Sequence, residues 1–102
     1  MKHLPDAYVK IIRREREILV AACDAEILGK TLRKNELVFE VRESFYKGSK
    51  MRIREAVALI RSATTANLVG LNIVKTAVKE GLVHPEAVIV ISGVPHAQIV
   101  KI

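Results

Sequence analysis

The spacing of apolar residues changes period at Met51, and that change constrains the fold more than any other feature of the chain. Before it, the stretch ELVFEVRE (residues 36–43) alternates with period two, as a half-buried strand does. After it, Ile53, Ala56, Val57 and Ile60 fall at i, i+3, i+4 and i+7, which is one face of a helix. Short apolar runs return at AVIVI (87–91) and AQIVKI (97–102). A chain that reads strands, then helices, then strands predicts an α+β fold.

Further strands and helix ends follow from the same reading. Residues 7–13 place Val9 and Ile11 on one face and Tyr8, Lys10 and Ile12 on the other. The charged RERE (14–17) separates them from the apolar run ILVAAC (18–23), which together suit an antiparallel hairpin. Asp24 is expected to cap a single helical turn that ends at Gly29. In residues 36–43, Leu37, Phe39 and Val41 should face inward, and Val38, Glu40 and Arg42 outward. Ser44 to Lys50 reads as a loop. Thr64 or Thr65 is expected to cap a second helix from about Ala66 to Glu80. Gly81 and Leu82 suit its end, a glycine followed by an apolar contact. His84-Pro85 and SGVPH (92–96) read as turns. The expected order is β-β-β-α-α-β-β. It implies an antiparallel or mixed sheet of about five strands with two helices packed on one face. At 102 residues there is room for one domain, 1–102, and one core.

Charge narrows the partners. Lys and Arg number 17 against 11 Asp and Glu, a net charge of +6 with a pI of about 9.8. Such a balance favours anionic partners, nucleic acid first, although a soluble surface alone can carry it. One cysteine, Cys23, excludes an intrachain disulfide and a multi-cysteine zinc site. No apolar run approaches the roughly 20 residues of a membrane span. The start, MKHLPD, lacks the apolar stretch of a secretory signal, so a cytoplasmic location is expected.

The runs AACDAEILGKT, ESFYKG, ATTANLVG and GVPHAQIVKI, in this order and spacing, resemble a small archaeal family, a domain of unknown function (family 424). The similarity runs from Val9 to Ile102. The resemblance implies an archaeal cytosolic protein, a single compact α+β domain and a loose association with translation. It carries over no reaction, cofactor or catalytic residue. The family's first turn often has glycines, where this chain has Arg14, Glu15, Arg16 and Glu17.

Four segments hold candidate chemistry. Tyr46, Lys47, Lys50, Arg52 and Arg54, beside Phe45, form a basic run with aromatics, in which cations meet phosphate and Tyr46 stacks on a base. Arg13, Arg14, Arg16, Arg33 and Lys34 extend it if the turns share one end of the sheet. The plain alternative is a solvated charged face. This set makes the leading expectation a non-enzymatic RNA- or ribosome-associated, translation-linked module. The second expectation is a small-molecule or phospho-ligand site, catalytic or not, built by Thr65, Asn67 and His96. It requires the TTAN helix start, with its free amides, to meet the GVPH turn. Ordinary capping and turn-shaping explain the same residues. Neither GxGxxG nor GxxxxGK[ST] occurs. Third, the Cys23 thiol beside a helix start can act as a nucleophile, or sit buried and inert. Last, the strand Ala97 to Ile102 can be an edge that pairs with a partner or a second copy. His3, His84 and His96 are scattered, with no metal-binding spacing, so no metal and no cofactor are expected.

Overall fold

Strand parity decides which side of the sheet each residue serves. The structure, a computed structural model, describes residues 5–101. The amino-terminal stretch through Leu4, including His3, and the last residue of the expected final strand, Ile102, lie outside the described residues. Strands β1 (Asp6–Arg14) and β2 (Glu17–Asp24) form the expected antiparallel hairpin, with Ile11 opposite Val20. The main sheet adds β5 (Ser49–Arg52), β6 (Thr65–Val69), β7 (Ile89–Ile91) and β8 (Val94–Val100), in the order β5-β1-β2-β6-β8-β7. Only the central β2–β6 pair is parallel, so the sheet is mixed.

On one face Ala7, Val9, Val20, Ala22, Ala66, Leu68 and Ala97 meet the two long helices, α2 (Ile53–Arg61) and α3 (Leu71–Lys79). The helices return Ile53, Ala56, Val57, Ile60, Ile73, Val74 and Ala77 to the same core. The i, i+3, i+4, i+7 set of α2 is buried as its spacing predicts. Glu55 accepts from the Arg52 amide (3.2 Å) and closes its first turn. The end of α3 is also as expected: Leu82 N–H donates to Ala77 C=O (2.9 Å) and Gly81 N–H to Val78 C=O (3.0 Å), a Schellman ending with Gly81 at φ 76°.

The other face is covered differently. Strands β3 (Thr31–Lys34) and β4 (Leu37–Glu40) form a separate two-stranded hairpin, and α1 (Glu43–Tyr46) is a single turn beside it. They bury Leu32, Val41 and Tyr46 against Ala21, Cys23, Val69 and Ile91.

Several local expectations change. The alternating stretch 36–43 is not a long strand of the main sheet. Its four-residue strand pairs only with β3, which leaves Leu37 and Val38 each 52% exposed while Val41 is buried. The Ser44–Lys50 segment holds all of α1 but its first residue, Glu43, and the start of β5. TANLV (65–69) is a strand, not a helix start: it pairs with both β2 and β8, and Ala66 and Leu68 alternate onto the helix-covered face. Residues 66–80 carry apolar spacings that fit either period until Gly70, at φ 129°, breaks the chain direction and α3 begins. Nor is His96 at the mouth of a turn. Ser92 and Gly93, both at positive φ (51° and 76°), make a two-residue hairpin turn, and His96 lies inside β8.

Candidate functional site

The basic set is partly dispersed by the fold. Tyr46 is 3% exposed, with Phe45 edge-on at 4.9 Å, so its ring cannot stack on a base; this corrects the role expected of it. Burial first, and the nearby Cys23 second, push its hydroxyl up to about 12. Lys47, Lys50, Arg52 and Arg54 are all exposed. Lys50 lies directly opposite Tyr8 in the β1–β5 ladder, its ammonium 5.9 Å from the centre of the Tyr8 ring. Lys10 follows on the same face and donates to the Ser44 carbonyl (2.7 Å), which leaves its charge unneutralised. Tyr8 and Lys10 were the missed members of the set. Their signal was the alternation of residues 7–13, which puts both on the face opposite Val9.

The other cations do not join them. Arg13 and Arg14 are at the far end of β1, roughly 17 and 20 Å along the strand from Tyr8 at about 3.4 Å per residue. Arg33 and Lys34 fasten to the β7–β8 region: the Arg33 amide donates to the Ser92 hydroxyl (3.2 Å) and Lys34 to the Val90 carbonyl (3.4 Å). That is the opposite edge of the sheet from β5. Ion pairs among the described residues are Arg42–Glu40 (3.9 Å) and Arg61–Glu80 (2.9 Å), so none holds a cation of the β5 edge. Carboxylates are nearby all the same. Asp6 is opposite Arg52, and Asp6, Asp24 and Glu26 share a recess of about 300 Å³ with Lys50 and Asn72.

Cys23 and Asp24 have structural duties. The thiol is fully buried, and burial, with the Asp24 carboxylate beside it, pushes it up to about 12; it keeps its proton and is a poor nucleophile. Asp24 does not cap the 3-10 turn Ala25–Ile27 that follows it. Its carboxylate accepts instead from the Asn72 and Ile73 amides (both 2.8 Å), so it caps α3 from the end of β2. Gly70 lies against it, where any Cβ would overlap the carboxyl group.

The residues expected to hold a small ligand are brought together in part. Asn67 faces Gln98 across the β6–β8 ladder, and Val69 faces His96. Asn67 and His96 line one recess of about 310 Å³ with Gln98, Phe39, Tyr46 and Ile89. Thr65 pairs with Val100 and does not line it. The hydroxyl of Thr64 is occupied elsewhere: it accepts from the Ile18 amide (2.8 Å) and donates to the Ile18 carbonyl (3.0 Å). Burial lowers the pKa of His96 and holds its ring neutral. Phe39 stands edge-on to it at 4.5 Å, and Nε2 is buried with no hydrogen-bond partner among the described residues. Gln98 is a further residue of the recess that the sequence reading does not name; once His96 is in a strand, residue 98 must share its face.

No group of three or more His, Cys, Asp or Glu side chains suited to a metal occurs among the described residues, and no helix there is long and apolar enough to cross a membrane. The fold is similar to the crystal structure of an uncharacterized conserved protein from the archaeon Methanopyrus kandleri. The TM-score is 0.79 at 25% sequence identity, over 95% of this chain and 94% of that one. No curated protein matches the chain. The family model described as protein of unknown function (DUF424) matches residues 12–102, and the chain belongs to that family.

Proposed function

We propose that the protein is a non-enzymatic, RNA- or ribosome-associated binding module whose contact surface is the β1–β5 edge. One observation carries the reading. Lys50 stands over the half-buried Tyr8 ring, Lys10 and Arg52 share its face of the β1–β5 ladder, Lys47 and Arg54 flank β5 along the chain, and none of the five is in an ion pair among the described residues. Lys47, Lys50 and Arg54 are the phosphate contacts of this reading; Arg52 is partly offset by Asp6. Tyr8 takes the aromatic role that buried Tyr46 cannot.

The test is binding to single-stranded and folded archaeal rRNA and tRNA fragments across a salt series. The expected result is a log-log salt slope that falls by about 0.7–0.9 for each phosphate-contacting cation removed, as in Lys47→Ala, Lys50→Ala and Arg54→Ala. A triple alanine variant at Arg13, Arg14 and Arg16 is the control and should leave the slope unchanged. Salt-independent binding, micromolar or weaker at low salt, overturns the reading. The recess at His96 favours a second kind of ligand.

A further inference from the structure

The recess between β4 and the β6–β8 pair differs from the surrounding surface in its charge. No Lys, Arg, Asp or Glu lines it, in a chain of which 27% is charged. Its polar groups are neutral: two carboxamides, Asn67 and Gln98, on directly opposed strand positions, and the imidazole of His96, which burial keeps uncharged. Phe39, Tyr46 and Ile89 supply ring and alkyl walls. Each carboxamide offers two N–H donors and one acceptor, so the pair matches a ligand edge that presents donors and acceptors side by side. A phosphate or carboxylate finds no cation here to offset its desolvation. A volume of about 310 Å³ holds one ring system, not an extended chain.

A second observation points the same way. Buried polar atoms nearly always have a partner, yet His96 Nε2 has none among the described residues. The fold makes no use of this nitrogen, although its residue lines the recess together with Phe39, whose ring stands edge-on to the imidazole at 4.5 Å.

We infer that this recess binds an uncharged planar heterocycle of the nucleobase type. Asn67 and Gln98 read its hydrogen-bonding edge, and Phe39 and Ile89 lie against its ring. The inference does not rest on the RNA reading, because the recess is built on β6, β8 and β7 and the cationic edge on β5, across the sheet. The heterocycle has two possible sources, a free base or nucleoside and an unstacked base within a strand.

The test follows the side-chain amide signals of Asn67 and Gln98 by NMR. The probes are the four free bases, their ribonucleosides, short single-stranded oligoribonucleotides, and inorganic phosphate. A saturable shift with at least one base or nucleoside is the expected result, and it identifies a free ligand. The same shifts with oligonucleotides alone support the site and identify the strand as the source. Asn67→Leu should weaken binding about tenfold or more, because it removes a hydrogen-bonding partner from a shielded site. Gln98→Ala, at an exposed position, makes the same test where the interior substitution fails to fold. Lys50→Glu should leave nucleoside binding unchanged. Silence of both signals with every base, nucleoside and oligonucleotide overturns the inference, as does a response to phosphate alone. Oligonucleotides that bind through the β5 edge while both signals stay silent remove this site and leave the RNA reading standing.

Discussion

The two faces of the six-stranded sheet are built from the same strands and finished in opposite ways. Among the described residues, the face under α2 and α3 is closed by sixteen buried ones, every one aliphatic, so it is a core and nothing else. The face under the β3–β4 hairpin has seven among the described residues, Cys23 and Tyr46 included, and its outer part opens into a recess lined by amides and an imidazole. Two amphipathic helices can cover a sheet face; a four-residue-stranded hairpin and one helical turn cannot. The incomplete cover is what leaves side chains available for a ligand.

The largest expected effect is at the point where the helix-covered face is fastened. Gly70 has φ 129° and ψ 150°, a region open essentially to glycine, and a Cβ there would overlap the Asp24 carboxyl that caps α3. Gly70→Ala should therefore cost more than about 3 kcal/mol, a large share of the roughly 5–15 kcal/mol available to a domain of this size. Urea unfolding measures it. A loss below about 1 kcal/mol would mean that α3 can shift without penalty.

Next in size is a direct comparison of the faces. Ile73→Ala, in the closed core, should cost roughly 2–5 kcal/mol. Val41→Ala, fully buried beneath the hairpin, removes two methyl groups and should cost nearer 2 kcal/mol, because the less enclosed cover can settle onto the gap. Equal losses would show the hairpin face to be packed as rigidly as the helix face.

The difference between the faces also explains what could be read in advance. The β1–β2 hairpin, α2 and the end of α3 were legible because each carries a local signal: alternation, a four-residue stripe, a glycine with its following leucine. Residues 65–69 were not. A strand buried on both sides of its ladder has apolar residues at spacings that also fit a helix, and only pairing with β2 and β8 decides between them. Asp24 reads as a cap for the turn that follows it but caps α3 instead, since a carboxylate 48 residues from the amide it accepts from leaves no local trace. The pairing of Asn67 with His96 in one recess was anticipated, though through a turn and a helix start; the ladder that joins them is a tertiary fact. Tyr46 failed for the reason that a sequence does not say which of two adjacent aromatics turns inward.

Asp24 gives a third test, of the anchor itself. Burial raises its pKa above the ordinary 3.8, against the opposing pull of the Asn72 and Ile73 amides. The folded state therefore holds the proton more tightly than the unfolded chain does. The contribution of this group to stability is fullest at low pH and declines as pH rises from about 4 through the folded-state value. Asp24→Asn, which does not titrate, sets an NH₂ against one of the two helix amides and should cost about 1–3 kcal/mol. Its deficit relative to wild type should shrink as pH rises from about 4, in urea midpoints taken across that range. A deficit that grows with pH would mean that the amide bonds outweigh burial.

The smallest effect belongs to the open face, and its sign is opposite. Burial lowers the pKa of His96 from 6.5, so protonation is easier in the unfolded chain than in the fold. The stabilising contribution is fully present above about pH 6.5 and is lost as pH falls through the lowered folded-state value. His96→Gln keeps a neutral polar tip and removes the titration. Its urea midpoint should therefore decline less than that of wild type between pH 7 and 5, while the two track each other above pH 7. Should both proteins lose stability in parallel, the imidazole is already free to take a proton where it stands. The burial of Nε2 would then not hold in solution, and the open face would be more open than its geometry implies.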